Sequence, residues 1–296
     1  MKLLGIVVLY YPDEKLIDNI LSYLPFLDKL IIWENTPANS QKTIFFEDVS
    51  LQSKILRWSE NSNVGLGAAF NKAVEYGERE GFTHLLTMDQ DSSFVEGDFE
   101  KFITFIESRL HDNSNCFYAP NYLIKAGYYL YDQNPDLEFE NVDRYLNSGT
   151  IFPISLFNKI GLFRADFFLD TIDVEYGLRA KKNNINIVLV RFVTLLHGAG
   201  YQRKKHKFLW KVFYPNEYSP IRSYYIIRNA LITYKEYPNP KQKRDYLWYW
   251  FYKRLVFIIL YESDKMNKMK ALLLGYYHGK KGILGKQEML FQKKAK

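Results

Sequence analysis

Short hydrophobic runs alternate with segments whose hydrophobic residues recur every three or four positions in the first half of the chain. The runs predict strands over residues 3–10, 29–33, 54–58 and 84–88. The periodic segments predict helices over 14–23 and 66–80. This alternation is typical of a mostly parallel sheet covered by helices, so we expect an α/β fold.

The pattern changes in the second half of the chain. It predicts a helix over 98–110, a short strand near Phe117, a loop or hairpin over 125–143, a helix from Ser155, a helix over 173–182 and a strand over 185–196. From Trp210 onward it predicts amphipathic helices. No repeat or low-complexity linker interrupts the sequence. We therefore predict a first domain over residues 1–205 and a helical region over 206–296 that packs on it.

Composition narrows the class of protein. The 296 residues are 47% hydrophobic and 25% charged, which is ordinary for a globular protein with a substantial core. The single cysteine, Cys116, excludes an internal disulfide and a multi-cysteine zinc site. The N-terminal run lacks a cleavage site, which favours a strand over a signal peptide. No run reaches the ~18 apolar residues of a membrane-spanning helix.

Positive charge is concentrated in the last third of the chain. The net charge is +7, and basic residues alternate there with aromatic ones, among them Trp210, Trp248 and Trp250. Helical segments of this kind favour an anionic membrane surface. We expect a cytoplasmic protein that lies peripherally on the inner face of the cell membrane. Nucleic acid is not an expected partner, because no nucleic-acid-binding module is visible.

Two carboxylates follow the strand predicted over 84–88. Asp89 and Asp91 stand two residues apart, so on an extended segment both project to the same side. Mg²⁺ or Mn²⁺ bound by one or two carboxylates keeps open positions for phosphate oxygens. The pattern therefore predicts a divalent metal site, with a solvated acidic turn as the alternative.

A second acidic cluster begins the helix predicted over 173–182. Asp170, Asp173 and Glu175 lie close together, and acids at a helix N-terminus are favoured by the helix dipole. Helix capping alone would explain Asp170 or Asp173. The functional interpretation makes one of these acids a general base that takes a proton from a hydroxyl group.

Other polar groups follow predicted strands or lie in later helices. Residues 61–71 form a turn and helix start with small residues, which allow a ligand close to the backbone. His197 ends a predicted strand, where it could complete a metal site or contact a diphosphate. Arg222 and Arg228 could bind phosphate oxygens, although each of these residues is more often structural.

Eight motifs occur in the order known from one enzyme family: Leu9-Tyr10-Tyr11-Pro12, residues 63–71, Asp89-Gln90-Asp91-Ser92, Ser148-Gly149, residues 170–179, His197-x-x-Gly200, Arg228-Asn229 and the glycine-rich residues 275–282. On these motifs the chain resembles the inverting glycosyltransferase family 2, and within it the rhamnosyltransferase-like branch. The resemblance covers most of the chain. It implies the GT-A fold, a Rossmann-like domain with a mostly parallel central sheet flanked by helices, followed here by a basic and aromatic helical extension.

The resemblance also implies roles for individual residues. Mn²⁺ or Mg²⁺ would be held by Asp91, Asp89 and His197, and Asp173, six residues before Arg179, would be the catalytic base. The nucleotide-sugar donor would contact Tyr10, Glu34, Asn35, Asn63, Gly65, Asn71, Asp89 and Arg228. The acceptor would contact Ser148, Gly149, Asp170 and Glu175.

The serine after Asp-Gln-Asp is commoner in rhamnosyltransferases than in other branches. It implies dTDP-L-rhamnose as the donor, with a growing lipid-linked cell-surface polysaccharide as the acceptor. Trp33-Glu34-Asn35 stands where the family usually has Val-Asp-Asn, so UDP-galactose, UDP-glucose and UDP-galactofuranose remain alternative donors. The oligomeric state stays open, a homodimer included.

Two other classes of function are alternatives. Phosphatases of the haloacid dehalogenase type also place Asp-x-Asp after a strand, but usually after the first one, whereas three predicted strands precede that of Asp89. A non-catalytic scaffold that binds carbohydrate or membrane would need its acids only as helix caps. Two separately placed acidic clusters count against this scaffold.

Overall fold

The hydrophobic runs of the sequence form buried strands. The computed structural model describes residues 1–41, 44, 46–110, 115–124, 127–134, 136–198, 217–238 and 251–287, with the backbone alone of 206–208, 211–213 and 248–250. The strands are β1 (Leu3–Leu9), β2 (Lys29–Glu34), β3 (Ile55–Ser59), β4 (His84–Asp89), β5 (Ser92–Phe94), β6 (Cys116–Ile124), β7 (Tyr128–Tyr129), β8 (Phe139–Asn141), β9 (Thr150–Pro153), β10 (Asn186–His197), β11 (His206–Phe208) and β12 (Lys211–Phe213).

The first ten of these strands form one sheet. The order is β3-β2-β1-β4-β9-β6-β10-β5, with β7 beside β6 and β8 beside β10. Strand β1 pairs in parallel with both β2 and β4, and β2 pairs in parallel with β3. After β3 the chain returns to the other side of β1, so the strand order reverses between β1 and β4. Ligands bind outside the carboxyl ends of the strands at such a reversal.

The helices follow the predicted periodic segments. They are α1 (Leu16–Leu21), α2 (Val49–Gln52), α3 (Leu66–Arg79), α4 (Asp98–Ser108), α5 (Ser155–Ile160), α6 (Ile172–Lys182), α7 (Pro220–Glu236), α8 (Arg254–Leu260) and α9 (Lys265–Lys281), with a π-helical turn at Trp248–Lys253. Helix α3 buries Ala69, Phe70, Ala73 and Val74 on one face, as its periodicity predicts. Among the described helices, none is both long enough and apolar enough to span a membrane.

The chain divides into two compact units. We call Met1–Phe163 with Tyr176–Ala199 the sheet unit, and Arg164–Glu175 with Gly200–Lys296 the helical unit. The division predicted after residue 205 placed residues 164–175 in the first domain. In the structure they belong to the helical unit, because α7 holds their backbone through side-chain hydrogen bonds. Helix α6 begins in the helical unit and ends in the sheet unit.

Two glycines bring α9 close to α7 in the helical unit. A Cβ atom on Gly275 would lie 2.5 Å from the carbonyl oxygen of Tyr224, and one on Gly279 would lie 2.9 Å from that of Arg228. Only glycine allows so close an approach of two backbones. Helices α7, α8 and α9 share a hydrophobic cluster of Ile227, Leu231, Ile258 and Leu272.

The α/β fold and most predicted elements are confirmed. Strands β1 to β4 and β10, and helices α3, α4 and α6, lie within a few residues of their predicted bounds. The pattern missed β5 and β9, because strands of three and four residues are too short to show a period. The prediction of helix from Trp210 was wrong for the β12 strand but right for α7 to α9. Trp210 and the basic residues Arg203, Lys204 and Lys205 lie outside the described residues.

Candidate active site

The Asp-Gln-Asp turn joins β4 to β5, and its glutamine attaches it to the end of β1. The backbone NH of Tyr10 donates to Gln90 Oε1 at 2.8 Å, and Gln90 Nε2 donates to the carbonyl oxygen of Tyr10 at 3.1 Å. Asn19 Nδ2 also donates to the carbonyl oxygen of Gln90, at 2.9 Å. The turn is therefore held at the strand reversal, with Asp89 and Asp91 both half-buried on either side of Gln90.

The pairing of β10 with β5 places His197 beside Asp89 and Asp91. Strands β10 and β5 are antiparallel with His197 opposite Ser92, and His197 Nδ1 lies 2.8 Å from Ser92 Oγ. The backbone NH of Gly198 donates to the carbonyl oxygen of Asp91 at 3.0 Å. One ligand atom each from Asp89, Asp91 and His197 lies within 4.8 Å of the other two.

Two carboxylates and an imidazole are a donor set that suits a divalent cation such as Mn²⁺. The Ser92 contact occupies Nδ1, which leaves Nε2 of His197 as the ring nitrogen for a metal. A hydrogen bond of this kind fixes the ring orientation of a ligating histidine. The residues therefore fit the predicted metal.

The ends of β1 and β2 and the turn before α3 lie in the same sheet unit. Asn35 Oδ1 accepts from Trp33 Nε1 at 3.1 Å and from the backbone NH of Val64 at 3.2 Å, which ties β2 to that turn. Asn63 Oδ1 accepts from the backbone NH of Gly65 at 2.9 Å. Gly65 has φ +84°, a conformation that other residues rarely adopt, so the helix start needs glycine here.

The predicted donor acid Glu34 is 9% exposed, and its carboxylate accepts from the backbone NH of Thr36 at 2.9 Å. Tyr10, by contrast, is 50% exposed and stacks edge-on against Tyr11. Of the predicted donor residues in this region, Tyr10 thus offers a side chain to solvent, whereas Glu34 and Asn35 shape the backbone around it.

Two predicted donor residues, Asn71 and Arg228, make hydrogen bonds within the protein. Asn71 Nδ2 donates to the carbonyl oxygen of Phe163 and Asn71 Oδ1 accepts from its NH, both at 2.9 Å. Arg228 is fully buried in α7 and donates to Asn229 Oδ1 and to the carbonyl oxygens of residues 166, 167 and 285. These four acceptors engage all three guanidinium nitrogens, and the predicted contact of Arg228 with a phosphate stays a prediction.

Ser148 and Gly149, which were predicted at the acceptor, hold the end of β4. The backbone NH of Asp89 donates to Ser148 Oγ at 3.1 Å, and the NH of Gly149 donates to the carbonyl oxygen of Thr87 at 2.8 Å. Gly149 has φ +78°, and a Cβ there would lie 2.9 Å from a methyl group of Leu195. The motif thus positions Asp89, the first aspartate of the cluster with Asp91 and His197.

The second acidic cluster lies in the helical unit. Arg222 pairs with the largely buried Asp170, with Nε and Nη2 at 3.1 and 3.0 Å from Asp170 Oδ1. Burial raises the pKa of the Asp170 carboxyl, and the charge and hydrogen bond of Arg222 oppose that shift. Asp170 is therefore paired with Arg222, and the predicted contacts of Asp170 with the acceptor and of Arg222 with a phosphate stay predictions.

Asp173 and Glu175 lie in the first turn of α6. Glu175 is 1% exposed and accepts a 2.9 Å hydrogen bond from the hydroxyl of Tyr237. Asp173 is half-buried, and its Oδ1 accepts from the backbone NH of Val174 at 2.9 Å. Asp173 is thus the more accessible acid of the two.

The backbone before α6 is strained. Phe168, Asp170 and Thr171 have φ values of +65°, +60° and +67°. Such conformations cost about 1–3 kcal/mol each in residues other than glycine, and they persist where the surroundings impose them. Strain of this kind is concentrated at functional sites.

The sequence shows Asn229 and Ser92 only as parts of motifs, and it gives no sign that Tyr237 binds Glu175. Asn229 Nδ2 donates to the carbonyl oxygens of Phe167, Leu169 and Asp170. Ser92 precedes His197 by 105 residues, so the sequence gives no signal of their contact. The pairing of β5 with β10, which reveals it, depends on a strand of three residues.

Comparison with known proteins supports the predicted resemblance. No family model matches the chain. A curated relative, the dTDP-rhamnosyl transferase RfbF of Shigella flexneri, is 22% identical over 299 residues, which cover 95% of this chain and 96% of that protein. The chain is therefore similar to a rhamnosyltransferase over nearly its whole length.

Solved structures show the fold. TarS 1–349 of S. aureus has a TM-score of 0.56 at 14% identity and covers 94% of this chain and 81% of its own, and its complex with UDP-GlcNAc is equally similar at a TM-score of 0.55. GalNAc-T7 with UDP, GalNAc and Mn²⁺ has a TM-score of 0.56 at 10% identity, over 96% of this chain and 56% of that one. The mostly parallel central sheet with its helices is thus the GT-A fold, as predicted.

Proposed function

We propose that this chain is an inverting, metal-dependent glycosyltransferase that moves L-rhamnose from dTDP-L-rhamnose to a growing, lipid-linked polysaccharide. The observation that supports it best is the cluster of Asp89, Asp91 and His197 at the strand reversal of a GT-A fold. The whole-length similarity to a dTDP-rhamnosyl transferase favours the donor.

The sheet unit would bind the donor. Asp91, Asp89 and His197 would hold Mn²⁺ or Mg²⁺, which supplies positive charge to the diphosphate of the donor. Without a cation, two carboxylates at the same site would repel that diphosphate. Tyr10 would contact the nucleotide, with Glu34, Asn35, Asn63 and Gly65 shaping the surface beside it.

Asp173 would act as the general base. An acceptor hydroxyl is a weak nucleophile until its proton is removed in the transition state, and a positioned carboxylate performs this step. The hydroxyl oxygen then forms a bond to the anomeric carbon as the nucleoside diphosphate leaves, in one displacement with inversion. Glu175, held by Tyr237, would bind a further acceptor hydroxyl.

A donor screen tests this function. Purified protein with Mn²⁺ or Mg²⁺ is incubated with dTDP-L-rhamnose, UDP-galactose, UDP-glucose or UDP-galactofuranose, and release of nucleoside diphosphate is measured with and without a lipid-linked saccharide. We expect the fastest metal-dependent turnover with dTDP-L-rhamnose. Preference for a UDP sugar would overturn the donor, whereas phosphate release from simple phosphate esters and no sugar transfer would overturn the reaction class.

We also propose that the protein lies peripherally on the cytoplasmic face of the membrane. Helix α9 carries lysines, and α8 and α9 both expose nonpolar side chains. These nonpolar residues are 47–74% exposed: Val256, Ile259, Leu260, Met266, Leu273 and Tyr277. Such a surface favours an interface with anionic lipid. Flotation with anionic vesicles should show binding that Leu273→Glu weakens and that Val49→Glu, at an exposed position of α2, leaves unchanged. Absence of binding at low salt would contradict this proposal.

A further inference from the structure

The segment before α6 holds three residues in a left-handed conformation, and side chains of α7 hold it in place. Asn229 is fully buried, and its Nδ2 donates to the carbonyl oxygens of Phe167, Leu169 and Asp170 at 3.1, 2.8 and 3.0 Å. Three carbonyl groups of this four-residue stretch, residues 167–170, are thus attached to one amide group. Because an amide nitrogen has only two hydrogens, these acceptors share them and fix the amide in one orientation.

Arg228 fixes the amide from its other side. Its Nε donates to Asn229 Oδ1 at 2.8 Å, while its Nη2 donates to the carbonyl oxygens of Asp166 and Phe167 at 3.1 and 2.9 Å. Since Arg228 donates to Oδ1, Nδ2 must point at the strained segment. The two adjacent residues therefore form one clamp on the backbone of residues 166–170.

The C-terminal part of the helical unit supports the clamp. Arg228 Nη1 donates to the carbonyl oxygen of Gly285, and the backbone NH of Gly285 donates to the carbonyl oxygen of Asp166 at 3.0 Å. Gly279 of α9 has no side chain to displace the backbone of Arg228. Gly279 and Gly285 thus both lie against Arg228.

We propose that Arg228 and Asn229 are positioning residues that hold residues 166–171 in their strained conformation and thereby set the direction of the Asp173 carboxylate. Asp173 follows Thr171 by two residues, at the first turn of α6, so the strained backbone determines where that turn begins. The inference rests on the proposed function, in which Asp173 is the base. This positioning role explains why a buried arginine and a buried asparagine stand next to each other in α7.

Asn229→Asp tests the clamp without a change of shape. A carboxylate oxygen in place of Nδ2 would face three carbonyl oxygens, which repel it, so the segment should leave its strained conformation. Small displacements of a catalytic group cost about 10²-fold in rate. We therefore expect kcat for sugar transfer to fall about 100-fold, with little change in the affinity for the metal and nucleoside diphosphate.

The matched control is Leu272→Ala in α9. Leu272 is 1% exposed and packs in the cluster of α7 and α8, so this change should lower the Tm of the protein by roughly 5–15 °C. It does not touch residues 166–171, so kcat measured well below the Tm should stay within about 2-fold of the wild type. If kcat falls equally in both variants, the clamp acts only through stability and the proposal is wrong.

Hydrogen exchange separates this proposal from the proposed function. Amides of residues 168–173 should lose protection in Asn229→Asp but keep it in Leu272→Ala, whatever the activity of the protein. Unchanged protection in Asn229→Asp would overturn the clamp. If the amides of Asn229→Asp lose protection while its kcat stays normal, the positioning role of Arg228 and Asn229 is wrong. If the wild-type protein transfers no sugar, the proposed function is wrong instead.

Discussion

The turn around Asp89 and the segment around Asp170 each contain acids that are close in the sequence. Different parts of the molecule hold the backbone of the two regions in place. The first turn is held by neighbouring strands, through Tyr10, Ser148 and the register of β5 with β10. The second segment is held by α7, whose Arg222 and Asn229 lie 52 and 59 residues away from Asp170. The first is thus a product of regular sheet geometry, and the second is a strained backbone kept in place by a helix.

This difference explains what each region can do. Strand ends of a parallel sheet meet at one edge, so acids that follow them are placed without strain and can hold a cation. The left-handed residues before α6 are unfavourable by themselves, and they persist only while α7 supplies donors to their carbonyl groups. Changes at the first region should therefore affect metal and donor binding, and changes at the second should affect turnover or stability.

The largest expected effect comes from Asp91→Ala. This change removes a carboxylate from the proposed metal site, where a bound metal would contribute several kcal/mol of charge stabilisation, so transfer should fall about 10³-fold or more. Calorimetry of dTDP with and without Mn²⁺ measures the binding part, which the change should abolish. Glu75→Gln, which removes an exposed acid of α3, should bind as the wild type does. If the wild type binds dTDP equally well in EDTA, the region around Asp89 does not bind the nucleotide through a metal.

Asp173→Asn should lower turnover about 10² to 10⁴-fold, the usual contribution of a general base. Donor affinity should change little, because the metal cluster supplies it. Asp170→Asn and Glu175→Gln should be milder, since Arg222 and Tyr237 already bind those side chains. Initial rates with saturating dTDP-L-rhamnose measure all three variants. Near-normal turnover in Asp173→Asn, with collapse in Asp170→Asn, would move the base to Asp170.

The grouping of residues in the first region is easier to predict from the sequence than that in the second, for a physical reason. Asp89, Asp91 and His197 follow long buried strands, whose periodicity is visible along the chain. The contacts of Arg228 and Asn229 with residues 166–170 depend on the fold of the helical unit, so the sequence does not indicate them. Left-handed backbone at Phe168 and Thr171 gives no signal at all, because neither residue type prefers it.

Ser92→Ala should weaken the binding of Mn²⁺ at the proposed site of Asp89, Asp91 and His197. Ser92 contacts His197 Nδ1, and loss of such a partner usually costs about 10 to 100-fold in metal affinity. Ser93→Ala is the matched control, because adjacent side chains of a strand point to opposite faces and Ser93 lies opposite Leu196. The Mn²⁺ concentration that gives half-maximal transfer measures both variants. Equal values for the two variants would show that Ser92 does not orient His197.

The smallest effect, and the one with a pH signature, is expected from Arg222→Gln. Burial raises the pKa of Asp170, so the folded protein binds its proton more tightly than the unfolded chain does, and the buried charge costs stability as the pH rises above the ordinary pKa of an aspartate. Arg222 offsets that cost by pairing with the charged carboxylate. Its loss should raise the pKa further and lower the free energy of unfolding by about 1.5–3 kcal/mol at pH 7, the range for a hydrogen bond to a charged group.

The loss from Arg222→Gln should shrink as the pH falls towards the pKa of Asp170, because the protonated carboxyl no longer needs a positive partner. Urea unfolding at pH 7 and at pH 4.5 measures the difference. In the background of Asp170→Asn, which is neutral at both values, the change at Arg222 should cost the same at either pH. An equal loss at pH 7 and pH 4.5 in the single variant would mean that Arg222 stabilises the helical unit by packing on Tyr218 rather than by its charge on Asp170.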